Sequence, residues 1–124
     1  MTAAKLVDVT LVKTWSPGSP AGEGEERIVF AIALDAHGHP DAAAWLADPG
    51  PWPARRESPG AAPLAGDVTH DEDGWSLRFF ADVVAAPDAS MHRIHHLGPP
   101  RPGEVLTIRA PDGAEASWRV VGIG

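Results

Sequence analysis

The sequence predicts a mainly β fold, a small antiparallel β-barrel or β-sandwich of about six strands with one short helix over about 40–48. Three features lead there: short apolar runs that alternate with period two, glycine and proline turns between them, and one alanine-rich stretch fit for a helix. Closing or stacking such strands hides the backbone edges that a flat sheet would leave open. At 124 residues and 44% apolar content the chain holds enough material for one core, so residues 1–124 are read as a single domain.

In "KLVDVTLVKTW" one face collects Val7, Val9, Leu11 and Trp15, while Asp8, Thr10 and Thr14 point the other way, the pattern of a half-buried strand. Residues 16–26, "SPGSPAGEGEE", carry nothing apolar larger than alanine and are read as a mobile acidic hairpin loop. The run "RIVFAIAL", Arg27 to Leu34, is apolar on both faces and too short for a comfortable helix, which makes it a central strand. In "HPDAAAWLADPG", Pro40 suits the first helical position, alanines follow, and Pro49 and Gly50 end the helix. Residues 49–66 contain five prolines and read as a long surface connection rather than an inner strand.

Two hairpins follow. "GDVTHDEDGWSLRFFADVV" turns at "DEDG", where Gly74 can take positive φ, and its second strand buries Trp75, Leu77 and Phe79 with Ser76, Arg78 and Asp82 opposite. "GEVLTIRA" and "EASWRVVGI" are joined by "PDG" at 111–113, with Leu106 and Ile108 packing near Trp118 and Val120. The stretches "PGEVLTI", "PDG" and "WRVVGI" together resemble the closing hairpin of phage head-to-tail joining barrels, which also end in an aromatic followed by alternating valines. That resemblance implies an accessory subunit of a larger assembly.

Charge and composition narrow the function. Seventeen acidic residues against ten basic ones, with a pI near 5.2, repel phosphate backbones, so nucleic acid is not expected as a partner. With no cysteine there is no disulfide and no thiolate ligand. The amino terminus has no long apolar run, so no membrane partner is expected and the location is read as cytoplasmic. No nucleophile elbow or phosphate cradle stands out, and there is no tyrosine to act as an acid, which points away from an enzyme and from an organic cofactor.

Histidines supply the candidate metal ligands. "MHRIHH" reads as a strand with His92, Ile94 and His96 on one face, and i,i+4 along a strand puts two imidazoles roughly 13 Å apart, too far for one ion. "DAHGHPD" places His37 and His39 beside Asp35 and Asp41 just after a strand, and it is similar to the metal-binding start of amidohydrolase-type barrels. Those barrels need about 250 residues, which this chain lacks. A composite divalent-metal site of His37, His39, His92 and His96 remains the alternative to a polar turn and a decorated strand.

Recognition candidates complete the reading. Trp52, Arg55 and Arg56 in "PGPWPARRE" lie in proline-stiffened backbone and are residue types favoured at protein interfaces, or else Trp52 folds back as a lid over an open barrel end. Trp75, Phe79 and Trp118 could line a pocket for a small apolar ligand at the barrel mouth. The leading expectation is a non-enzymatic domain acting through a protein partner or as a homo-oligomer, with a metal-binding protein or hydrolase and a small-ligand barrel as alternatives.

Overall fold

Period-two alternation becomes an inside and an outside once the sheet closes on itself. A computed structural model describes residues 5–15, 26–80 and 91–124. Its elements in chain order are β1 (Leu6–Trp15), β2 (Arg27–Ala33), α1 (Ala42–Ala47), β3 (Trp52–Glu57), β4 (Leu64–Asp71), β5 (Gly74–Phe79), β6 (Met91–Ile94), β7 (Val105–Arg109) and β8 (Glu115–Ile123). Each strand pairs antiparallel with the next, and β8 returns to pair with β1, so the sheet is a closed up-and-down barrel with no free edge in its strand order. The mainly β class and the single short helix agree with the sequence reading, at eight strands rather than about six. No described helix is long and apolar enough to cross a membrane.

The lumen is filled by the residues that alternation assigns to it. Val9 and Leu11 of β1, Ile28, Phe30 and Ile32 of β2, Trp75, Leu77 and Phe79 of β5, and Trp118 and Val120 of β8 are all buried. Leu106 stands directly across from Trp118, as the closing hairpin requires. Both tight turns form where the sequence puts them: Asp71 pairs with Gly74 at φ 116°, and Ala110 and Ala114 close the "PDG" turn with Gly113 at φ 91°.

Four expectations change. The proline-rich segment 49–66 is not one connection, because Trp52–Glu57 forms β3 and Leu64 already begins β4. The β2 ladder ends at Phe30 opposite Ala54, so Pro53 stands one residue past it, and on that side a missing N–H breaks no bond. The helix starts at Ala42 rather than Pro40: Asp41 caps it by accepting from the Ala44 N–H at 3.0 Å, while Pro40 bridges to Leu34. Trp15 shares the parity of Val9 and Leu11 but is exposed, because the β1–β8 register shifts between Lys13 and Trp15. Ser76, expected on an open face, is buried, and Asp82 lies outside the described residues, as do residues 16–25 of the acidic loop.

The two ends of the barrel differ. At one end α1 spans the connection from β2 to β3, and its Trp45 donates an indole N–H to the Val68 carbonyl at 2.9 Å. Beneath it Trp52 stacks on Trp75 with centroids 6.0 Å apart, His70 tilts against Trp75 at 4.5 Å, and Trp52 Nε1 donates to Asp48 at 2.9 Å. That bond and the Gly50 N–H hold the Asp48 carboxyl below its ordinary range. The opposite end carries Lys13, Glu26 and Arg56.

Gly66 marks a close approach between β4 and β5. A Cβ there would lie 2.0 Å from the Arg78 carbonyl oxygen and 2.9 Å from Phe79 Cδ1, and backbone cannot step aside as a flexible side chain could. Gly66→Ala is therefore expected to cost about 3 kcal/mol, read as a lower urea midpoint with the far-UV spectrum retained. An unchanged midpoint would show that β4 and β5 do not approach as described.

Candidate functional site

Polar and charged side chains at inward positions are costly, and four of them, three charged residues and a histidine, share the end of the barrel away from α1. Lys13 continues the inward row of β1 after Val9 and Leu11, and Arg56 continues that of β3 after Trp52 and Ala54. Glu26 stands two residues before Ile28, and His92 two before Ile94, so all four parities point into the lumen. Register brings them together, because Lys13 lies opposite Trp118, Arg56 opposite Ile28, and His92 opposite Leu77.

Glu26 is the hub. Its carboxylate accepts from Lys13 Nζ at 2.9 Å, from Arg56 Nε at 2.8 Å and from Ser58 Oγ at 3.3 Å, and Arg56 Nη2 donates to it as well. Only 9% of the Glu26 side chain is exposed, against 15% for Lys13 and 22% for Arg56. Burial works to raise the Glu26 carboxyl, but the hydrogen bonds and positive charges of Lys13 and Arg56 outweigh it and hold the group below its ordinary value.

The cations lie against an aromatic floor. Lys13 Nζ is 5.5 Å and the Arg56 guanidinium carbon 5.8 Å from the Trp118 ring centre, within the range of cation–π attraction. Arg56 Nη1 lies 3.4 Å from His92 Nε2, and the His92 ring meets Phe79 edge to face at 5.3 Å. Lys13, Arg56, His92 and Trp118 together line a cavity of about 110 Å³, completed by Ile108, Ala110, Ala114, Glu115 and Ala116. Glu115 at the rim lies 3.0 Å from His95 Nε2. Lys13, Arg56 and Glu26 sum to one positive charge facing that space.

The residues singled out in the sequence fall in different places. His37 and His39 belong to the turn after β2, where their backbone N–H groups both donate to Asp35, at the end of the barrel opposite His92. His96 does not continue the β6 face: β6 stops at Ile94, and His96 takes φ 50° in the following turn. The four histidines are thus not brought together, and among the described residues no group of three or more His, Asp or Glu side chains is placed to hold a metal ion. Trp52 is in the core, Arg55 points outward beside Glu57, and Arg56 points inward, so those three share no single surface. Trp75 lies at the α1 end with Trp52, whereas Trp118 lines the cavity and Phe79 supports His92 beside it.

Lys13 and Glu26 were not picked out by motif. Their signal is parity: each is a charged residue at an inward position within two residues of the apolar row of its own strand. Compared with protein-family models, curated proteins and solved structures, the chain has no match.

Removing the hub charge leaves two cations facing each other in a partly buried space. Glu26→Gln is expected to lower stability by about 3 kcal/mol at neutral pH. Because the folded-state carboxyl titrates below its ordinary value of 4.5, the Glu26 contribution is complete above that pH and disappears as pH falls through the folded-state value. Urea melts of both proteins should therefore converge on acidification below about pH 4.5. A gap independent of pH would contradict the charged role of Glu26.

Proposed function

We propose that this protein is a non-enzymatic small-ligand-binding barrel whose site is the cavity between Lys13, Arg56, His92 and Trp118. What supports the reading is the asymmetry of the ends. The α1 end is filled by stacked aromatics, whereas the other end gathers polar groups around a space of about 110 Å³. That space is larger than a single water needs and smaller than a drug-sized pocket, so it suits a compact organic molecule. A cytoplasmic setting, which asks no disulfide of a cysteine-free chain, belongs to the same reading.

A test can fill the cavity without touching the charges. Ala116 lines it and is only partly buried, so Ala116→Phe has room to place a ring there. A thermal-shift screen of small organic compounds on the full chain is expected to find ligands that raise Tm, and Ala116→Phe to abolish the rise while folding normally. Hits whose shifts persist in Ala116→Phe would locate binding elsewhere and remove this reading.

The second reading is self-association or an accessory role in an assembly. It is supported by apolar side chains on the outer face of β7 and β8, where Val105 is 53% and Val121 48% exposed, with Trp15 also exposed at the end of β1. Sedimentation at high micromolar concentration is expected to give a dimer or larger species that Val121→Lys dissociates. A strict monomer would end it.

A further inference from the structure

We infer that the occupant of this cavity is a small organic monoanion, a carboxylate with a compact apolar or aromatic body. The inference rests on the ligand-binding reading above and adds the charge and shape of the ligand. Three observations converge on it.

First, the charge of the described lumen residues is not balanced. Two cations meet one carboxylate, so Lys13, Arg56 and Glu26 together carry one positive charge on side chains only 15%, 22% and 9% exposed, where attraction to an anion is stronger than at a fully hydrated surface. Second, donors remain for it among the described contacts. An ammonium has three hydrogens and Lys13 directs one to Glu26, while Arg56 Nη1 carries two hydrogens and lies 3.4 Å from His92 Nε2 at the cavity wall, a contact that occupies one of them at most. Third, apart from Glu115 at the rim the rest of the lining is apolar: Ile108, Ala110, Ala114, Ala116 and the face of Trp118. Such a surface takes a hydrocarbon body and would leave a second charged group without a partner. Among the described residues Glu115 is the acidic side chain on the rim, and with 48% of that side chain exposed, solvent and salt screen its opposition to an incoming anion.

Size and charge exclude other occupants. A nucleotide or other polyphosphate brings several charges to a site with one to offer, and it exceeds a cavity of about 110 Å³. A cation would meet Lys13 and Arg56 without reaching the engaged oxygens of Glu26. Orientation follows: the carboxylate sits between Lys13 and Arg56, and the body lies along Trp118 toward Ile108.

The test compares an anion with its neutral isostere. Full-length ¹⁵N-labelled protein is titrated at pH 7 with benzoate and benzamide, and with butyrate and butyramide. The indole N–H signals are followed, that of Trp118 being assigned from the spectrum of Trp118→Phe. A carboxylate is expected to shift the Trp118 signal and bind at least tenfold more tightly than its amide. Trp45 and Trp52 at the far end should stay still. Lys13→Met, checked for retained indole dispersion, should erase the preference. If an amide binds as tightly as its carboxylate, the anion inference falls while the cavity still binds ligands. If none of the four probes moves Trp118, both the inference and the ligand-binding reading fail.

Discussion

The carboxylate of Glu26 organises one end of this barrel. Lys13 reaches it from β1 and Arg56 from β3, and Glu26 itself directly precedes β2, so a single acidic group ties three consecutive strands where the apolar core runs out. Taking these charges from water costs several kcal/mol per ion, and apolar residues of similar volume would often be at least as stable. Hydrogen bonds recover much of that cost. What a hydrophobic replacement could not supply is a net positive charge held in place above Trp118, and that charge gives the end its chemistry.

The other end explains why the charged one can be specialised. Trp52 and Trp75 stack, His70 packs on Trp75, and α1 covers them through the Trp45 and Asp48 hydrogen bonds. Rings fill space with few rotatable bonds, so this end contributes rigidity as well as burial. Closure of the sheet from β8 to β1 carries that rigidity around the barrel. The cavity-lining groups therefore project from strands whose register is already fixed, which would limit the ordering that any ligand had to impose.

Much of the fold could be read locally. The alternation of Val9 and Leu11, the apolar run from Arg27, and the Gly74 and Gly113 turns each depend on residues close in sequence, and each forms where expected. What could not be read depended on distant neighbours. Proline in β3 is tolerated beside β2 because the β2–β3 pairing stops at Phe30 opposite Ala54, a fact of how the two strands meet rather than of the proline-rich segment itself. The exposure of Trp15 comes from a register shift against β8, about a hundred residues away. The site was legible only in part: His92, Arg56 and Trp118 stood out as residue types, but Glu26 looked like the tail of an acidic loop. Only its parity with Ile28 connects it to the lumen, and only barrel closure brings Lys13 and Arg56 to it.

Lys13, Glu26 and Arg56 act as one network, and a double-mutant cycle measures their coupling directly. Unfolding free energies of wild type, Lys13→Met, Glu26→Gln and the double variant at pH 7 and moderate salt give the coupling between the two side chains. A buried, hydrogen-bonded pair should couple by about 1.5–3 kcal/mol, with the double variant less damaged than the two single losses added together. Strict additivity would mean that Lys13 and Glu26 do not interact, and the charged end of the barrel would then be an ordinary wet rim.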